Sequence, residues 1–139
     1  MNLWKLWIAG YCWLGAQSPA VCKHEAMTED AVPQADITTV PSDIDESVIL
    51  LDVREDDEWQ RGHAPGAQHI PMGQIPARIG EIDSNAPLYV VCQGGGRSQR
   101  VAQYLAQNGF SPVNVSGGMM AWAGAGRRVV TDDGGAGVI

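Results

Sequence analysis

The residues suited to chemistry lie together between Leu88 and Ser98. An apolar run ends there at Cys92, and a glycine-rich segment leads from it into a predicted helix. The residues that follow the cysteine are Gln93, Gly94, Gly95, Gly96, Arg97 and Ser98. Glycines let a backbone curl so that successive N–H groups point inward, and a helix N-terminus adds positive potential. Both effects favour a thiolate over a thiol, so Cys92 is the candidate nucleophile at the base of an anion-binding loop.

The position of Cys92 depends on the strand before it. Residues 88–91 and 48–53 are continuous apolar runs, as expected of strands buried on both faces of a parallel sheet. Ligands bind at the carboxyl ends of the strands in open α/β sheets. Cys92 follows one of these strands and Arg54 follows the other, so Arg54 is a candidate to contact the substrate or to support the loop. Asp52 is interpreted as structural, because a carboxylate beside the thiolate would oppose it.

Helical and extended segments alternate along the rest of the chain. Short strands are predicted at 37–40, 68–70 and 113–115, and helices at 55–61, 71–82 and 98–108, with a short helix after Gly117. This alternation predicts an α/β fold with a central, mostly parallel sheet flanked by helices on both faces.

The composition argues against several classes of function. The chain has 139 residues and a formal net charge of −7, and no lysine follows Lys23. An acidic chain without a basic stripe is not typical of proteins that bind nucleic acid or an anionic membrane surface. The three cysteines, at 12, 22 and 92, have no spacing typical of a disulfide framework. The three histidines are scattered, so neither a metal site nor a bound cofactor is expected.

Composition also divides the chain into three regions. Residues 1–35 are interpreted as a non-globular extension, residues 36–130 as the folded domain and residues 131–139 as a flexible tail. A broken apolar stretch in residues 1–26 is either a weak secretory signal or an upstream extension without a fold of its own. Met27 begins an acidic segment typical of a cytoplasmic N-terminus. A cytoplasmic location is therefore expected, with export as the alternative if residues 1–26 act as a signal.

Four motifs, in order along residues 36–128, resemble those of the rhodanese-like sulfurtransferases. They are Leu51-Asp52-Val53-Arg54-Glu55 with Glu58-Trp59, then Gly62-His63-Ala64-Pro65-Gly66-Ala67 with Ile70-Pro71, then Val91-Cys92 through Arg97-Ser98, and finally Gly117-Gly118-Met119 with Trp122. The resemblance implies the rhodanese-like three-layer fold. It also implies that a sulfur atom is transferred in two steps, without a cofactor or metal. Cys92 takes a sulfane sulfur from thiosulfate or a persulfide, and cyanide or a thiol removes it. The loop from Gln93 to Ser98 would hold the terminal sulfur of the Cys92 persulfide.

The four residues between Cys92 and Arg97 bear on the choice between two chemistries. Phosphatases of the same general fold carry one more residue in this loop, which accommodates a tetrahedral phosphate, whereas the shorter loop suits a single sulfur atom. Many thiosulfate-using members of the resembled family carry a basic residue directly after the cysteine, where this chain has Gln93. Arg97 is then the only charge in the loop, so a small or protein-borne persulfide is an alternative donor to thiosulfate.

Three functions remain as hypotheses. The first is a sulfurtransferase. The second is a sulfur carrier or binding module, in which Cys92 accepts sulfur from a partner and passes it on with little turnover of its own. The third is a phosphatase-like hydrolase. For Cys92 itself, the alternative to a catalytic role is that of a buried cysteine that serves only in packing. His63 is interpreted as part of a turn, Trp59 and Trp122 as core residues, and residues 55–58 as a solvated helix start.

Overall fold

The computed structural model describes residues 32–139, and within them a five-stranded parallel sheet forms the centre. In chain order, its strands are β1 (Gln34–Ala35), β2 (Ile49–Asp52), β3 (Gln68–His69), β4 (Leu88–Val91) and β5 (Pro112–Val115). Across the sheet the order is β1-β5-β4-β2-β3, and every pair of neighbours is parallel. The α-helices of this region are α1 (Asp56–Arg61), α2 (Ile75–Arg78), α3 (Gly96–Gln107) and α4 (Gly118–Gly124).

Helices cover both faces of the sheet. Successive strand residues point to opposite faces, so Leu51 and Leu50 belong to two different core clusters. On the face of Leu51, α2 and α3 contribute apolar side chains such as Val101, whereas α4 contributes Met119 and Trp122 on the face of Leu50. Both faces exclude water, and the buried positions of β2 and β4 are apolar except for Asp52 at the end of β2. The predicted α/β class and three-layer arrangement are confirmed.

The strand before Cys92 is the centre of the sheet. β4 pairs with β2 on one side and with β5 on the other. Cys92 therefore leaves the carboxyl edge of the sheet between the residues that follow β2, including Arg54, and the turn at Gly117 that follows β5. Neighbouring parallel strands thus bring segments that are distant in sequence to one edge, where α/β proteins bind their ligands.

The start of the domain differs from the prediction. Residues 37–40 are not a strand, because Ile37–Thr39 form a short 3-10 helix capped by the Asp36 side chain, which accepts a hydrogen bond from the Thr38 N–H at 2.9 Å. The edge strand is instead β1, whose two residues are too few to produce an alternating pattern. Residues Val32–Ile139 form one compact unit, which includes β1.

The C-terminal segment, whose residues 131–139 are interpreted from the sequence as a flexible tail, makes backbone hydrogen bonds with the rest of the domain. Val130 exchanges two backbone hydrogen bonds with His63, both 2.9 Å long. The N–H of Val138 donates to the carbonyl of Arg61, again at 2.9 Å. Backbone groups make these contacts, and a Gly-rich composition does not reveal them. The segment is therefore tied to the end of α1.

The helical stretch predicted over residues 71–82 is broken into three pieces. Met72–Gln74 and Ile79–Glu81 are 3-10 turns on either side of α2.

No helix within residues 32–139 is both long and apolar enough to cross a membrane. The expectations for residues 1–31, including the signal interpretation, fall outside the described residues.

Candidate active site

Cys92 lies at the base of the loop that joins β4 to α3. Only 1% of the residue is exposed, so a reacting group must enter the loop to reach the Cys92 sulfur. The backbone N–H of Gly95 donates to the Cys92 Sγ at 3.0 Å, and the Ser98 Oγ lies 3.4 Å from the same sulfur. The loop thus surrounds the sulfur with hydrogen-bond donors from its own backbone and from the first turn of α3.

These donors change the acidity of the thiol. Burial acts to raise the pKa of Cys92, because it removes water from the charged form. Hydrogen bonds from the side chain and backbone of Ser98 and from the backbone of Gly95 and Gly94 act in the opposite direction and outweigh burial. The pKa of the Cys92 thiol is therefore lowered, which favours the nucleophilic thiolate.

Of the three loop glycines, Gly95 is the one whose backbone requires glycine. Its φ is +112°, a left-handed conformation that L side chains rarely adopt. A Cβ at Gly94 or Gly96 would meet no atom within 4 Å. The sharp turn that aims the N–H of residue 95 at the sulfur therefore depends on a single glycine, whereas its two neighbours leave the mouth of the loop open.

The N-terminus of α4 holds the loop from behind. The N–H groups of Met119 and Met120 donate to the carbonyls of Cys92 and Gln93 at 2.8 and 3.1 Å. This close approach needs Gly118, where a Cβ would lie 2.3 Å from the Cys92 carbonyl oxygen. Holding the carbonyls outward leaves the loop N–H groups free to face the sulfur. Gly118 is a site residue that sequence reasoning placed only in a turn, although its motif contained the signal.

Arg54 is buried and supports the loop, and its side chain does not line the open side of the loop. Its guanidinium is 1% exposed and forms an ion pair with Asp52, with Nη2 2.7 Å from Oδ2. It also donates to the Gly62 carbonyl at 2.8 Å and to the Gln93 Oε1 at 3.3 Å. The structural interpretation of Asp52 agrees with this geometry, and Arg54 reaches the loop through the side chain of Gln93.

Arg97, the only charge in the loop, is also paired. Its guanidinium makes two hydrogen bonds to Glu58 of α1, at 2.7 and 2.9 Å. The Arg97 hydrogen bonds are the largest cause of the lowered pKa of Glu58, which falls to about 2 although burial acts to raise it. Residues 55–58 are therefore not merely a solvated helix start. Glu58 was missed because pairing across 39 residues leaves no pattern in local sequence.

A buried polar network lies on the other side of the cysteine. Ser98 contacts Asn114 of β5, with 2.5 Å between Oγ and Oδ1. Asn114 is only 3% exposed and donates from Nδ2 to the Oε1 of Gln34, at 2.8 Å. Sequence reasoning missed Asn114, and the available signal was one polar residue within an otherwise apolar strand.

The aromatic and histidine residues of the motifs have packing partners of their own. Trp59 is stacked between His63 and His69, with ring centroids 3.5 and 4.6 Å apart. The Nδ1 of His63 lies 2.9 Å from the Trp59 carbonyl oxygen, so its neutral form donates there. Trp122 is a core residue, as predicted, while Trp59 is only half-buried.

The site is thus a cysteine in a short backbone-lined loop at the carboxyl edge of a parallel α/β sheet. Residues 38–125 match the family described as the rhodanese-like domain, and the chain belongs to this family. No group of three or more His, Cys, Asp or Glu side chains within residues 32–139 is placed to hold a metal ion.

Relatives and solved structures agree with this assignment. The chain is 48% identical over 80 residues to "Putative sulfurtransferase YtwF" of Bacillus subtilis strain 168, covering 58% of this chain and 78% of that one. It is 35% identical over 105 residues to "Putative sulfur carrier protein YrkF" of the same organism, covering 73% of this chain and 57% of that one. A rhodanese-related protein from Thermoplasma volcanium has a TM-score of 0.67 at 26% identity, covering 72% of this chain and 99% of the other.

Proposed function

We propose that this protein is a sulfurtransferase that carries a sulfane sulfur on Cys92. The observation that carries the proposal is the Cys92 sulfur, whose pKa is lowered by loop hydrogen bonds that outweigh its burial. Membership of the rhodanese-like family and a relative named as a sulfurtransferase support the same reaction class.

The reaction divides into two displacements at sulfur. In the first, the Cys92 thiolate attacks the outer sulfur of the donor, a new S–S bond forms, and the donor S–S bond breaks. The bond electrons leave with sulfite when the donor is thiosulfate, or with a thiolate when the donor is a persulfide. In the second, the acceptor attacks the terminal sulfur of the Cys92 persulfide, and the Cys92 thiolate is regenerated. No net oxidation occurs, and a free sulfur atom is never released.

The loop suits a persulfide intermediate. The terminal sulfur of the persulfide carries negative charge, and backbone N–H groups of the segment from Gln93 to Ser98 are placed around the Cys92 sulfur to stabilise it. With four residues between Cys92 and Arg97, the loop has the shorter length that suits one added sulfur. Gly94 and Gly96, which have open space beyond their backbones, leave room for donor and acceptor to approach.

The charges around the loop favour a persulfide donor over thiosulfate. Arg97 is offset by Glu58, and Arg54 is offset by Asp52. Neither guanidinium thus presents an uncompensated charge to a dianion. The side chain next to the cysteine is the neutral Gln93, whose Nε2 lies 3.5 Å from the sulfur of the exposed Met120. We expect small-thiol or protein-borne persulfides to load Cys92 faster than thiosulfate does.

Thiols are the expected acceptors in the cell, and cyanide serves as the acceptor in an assay. The reaction requires a reduced Cys92, which is the state that the cytoplasm maintains. A cytoplasmic location is part of the proposal, and N-terminal sequencing of the protein from native cells would test it.

A sulfur carrier with little turnover of its own is the second candidate. It is favoured by the relative named as a sulfur carrier, of which this chain spans 57%. Turnover distinguishes the two functions, since a carrier loads once and then waits for its partner protein.

Steady-state turnover with two donors is the test. The wild-type protein would be given thiosulfate or glutathione persulfide as donor, with cyanide as acceptor, and thiocyanate would be measured. We expect repeated turnover with both donors, a higher kcat/KM with the persulfide, and complete loss of turnover in Cys92→Ser. A matched variant lacking Cys12 and Cys22 should keep full activity. Loading of a single equivalent without turnover would support the carrier, and activity retained in Cys92→Ser would contradict both candidates.

A further inference from the structure

The polar network behind Cys92 contains a residue with no part in the loop itself. Asn114 lies on β5, is 3% exposed, and reaches the loop through Ser98 and, at 3.4 Å, through the Gly95 carbonyl. Buried polar side chains are retained where their hydrogen bonds are satisfied, and both ends of this carboxamide have partners. What Asn114 does to Cys92 depends on which end of its carboxamide faces Ser98.

The orientation of the Asn114 carboxamide follows from a backbone carbonyl. The Gln34 side chain lies 3.2 Å from the Val32 carbonyl oxygen, which can only accept, so Nε2 of Gln34 faces it. The Oε1 of Gln34 then accepts from Asn114, which must present its Nδ2 there. The Gly95 carbonyl, 3.4 Å from the same Nδ2, requires the same orientation. The Oδ1 of Asn114 is therefore the atom that faces the Ser98 hydroxyl.

The hydroxyl of Ser98 has one proton and three acceptors within reach. They are the Oδ1 of Asn114 at 2.5 Å, the Gly95 carbonyl at 3.1 Å and the Cys92 sulfur at 3.4 Å. The shortest contact is the strongest hydrogen bond of the three. We propose that Asn114 is a positioning residue that holds the Ser98 hydroxyl proton away from Cys92.

This arrangement weakens the hydrogen bond by which Ser98 lowers the pKa of the Cys92 thiol. The single hydroxyl proton is shared between Asn114 and the sulfur, and the contact with Asn114 is the shorter of the two. A thiolate gains the full Ser98 hydrogen bond only if the hydroxyl rotates and gives up its bond to Asn114. Backbone donors such as the Gly95 N–H remain available to the thiolate in either case. Asn114 thus limits how far the loop lowers the pKa of the thiol.

The charged groups beside the sulfur do not compete with this effect. Arg97 of α3 faces Cys92 and is paired with Glu58 of α1, while Arg54 after β2 is paired with Asp52. These pairs are unchanged by a substitution at residue 114, which contacts neither of them. Residue 114 reaches Cys92 through Ser98 and through the Gly95 carbonyl, and a substitution of Ser98 separates these two routes.

The inference extends the proposed function to a residue outside the loop, and its test needs no sulfur donor. In a background without Cys12 and Cys22, the rate of Cys92 alkylation by iodoacetamide would be measured against pH. Asn114→Val frees the Ser98 proton, so the alkylation midpoint should move to lower pH. The rate at neutral pH should rise about tenfold, as expected of one hydrogen bond to a charged group. In the Ser98→Ala background, the same substitution should leave the midpoint unchanged.

A second variant guards against a general disturbance of the loop. Asn114→Asp keeps the size of the side chain and keeps an oxygen facing Ser98, and its negative charge opposes the thiolate, so its midpoint should move to higher pH. Opposite shifts in the valine and aspartate variants support the proposal. A midpoint in Asn114→Val that rises or stays unchanged, or an equal shift in the Ser98→Ala background, would overturn it. Persulfide formation is a separate readout, so failure of the proposed function would be recognised independently.

Discussion

The two arginine–carboxylate pairs beside the loop have the same chemistry and length but different surroundings. The Asp52–Arg54 and Glu58–Arg97 pairs each have a shortest N–O distance of 2.7 Å. The first pair is sealed from water, with side chains at most 1% exposed, whereas Arg97 is 35% exposed and Glu58 is 16% exposed. Burial, rather than contact geometry, therefore separates them.

This difference assigns the pairs different tasks. Breaking a buried pair leaves a charge that water cannot reach. We therefore expect the Asp52–Arg54 pair to be required for the stability of the fold. A partly exposed pair contributes little to stability because water and salt screen it. Glu58 therefore compensates the charge of Arg97 at the loop, and we do not expect folding to depend on it.

The largest effect is expected from breaking the buried pair. Arg54→Met leaves the Asp52 carboxylate buried without its partner, and we expect a loss of roughly 3 to 5 kcal/mol in the free energy of unfolding. The measurement is equilibrium unfolding in urea. Asp52→Asn combined with Arg54→Met should recover part of this loss, because it removes the unpaired charge.

The exposed pair Asp57–Arg61 on α1 gives the matched control for this prediction. Its side chains are 74% and 60% exposed, with 3.7 Å between Oδ2 and Nη1. Arg61→Met should change the free energy of unfolding by no more than about 0.5 kcal/mol. A similar loss in Arg54→Met and Arg61→Met would show that burial does not distinguish the pairs.

A smaller effect, on donor choice, is expected from the partly exposed pair. Glu58→Gln leaves the charge of Arg97 uncompensated, so the KM for thiosulfate should fall by about tenfold at low salt, with a smaller change for a persulfide donor. Steady-state kinetics at two salt concentrations measure this effect. Asp57→Asn is the control, since it removes the same charge from α1 without touching Arg97. Equal effects of both variants on KM would indicate a general charge effect instead.

The smallest effect is expected in acid. The pKa of Glu58 is about 2 in the folded protein, well below its ordinary value. The stabilisation from this lowered pKa is complete above the pKa of the unfolded chain, about 4.3, and is lost as pH falls from there towards 2. The difference in unfolding free energy between wild type and Glu58→Gln should shrink across this range. A difference that stays constant from pH 5 to pH 2 would contradict the assigned ion pair.

The sequence predicts those features of the molecule that depend on neighbouring residues in the chain. Buried strands such as Leu88–Val91, and the loop that starts at Cys92, are read directly from local pattern, because apolar runs and glycines act over a few residues. The family motifs also predict the nucleophile. The strand and the loop depend on neighbours in sequence, and the structure confirms both.

Features that depend on distant partners were not predicted. The pairing of Arg97 with Glu58 spans 39 residues, and the contact of Ser98 with Asn114 crosses from a helix to a strand. The docking of the C-terminal segment through Val138 uses backbone groups that every sequence has. Only the packing of the sheet brings these atoms together, so no local pattern encodes them.

Intact-protein mass spectrometry tests the central claim most directly. The variant without Cys12 and Cys22 would be incubated with glutathione persulfide, freed of excess donor, and weighed before and after addition of a thiol acceptor. We predict a mass gain of one sulfur atom, located on Cys92 by peptide mapping and removed by the acceptor. No added sulfur at any donor concentration, or a sulfur that the acceptor leaves in place, would contradict transfer through Cys92.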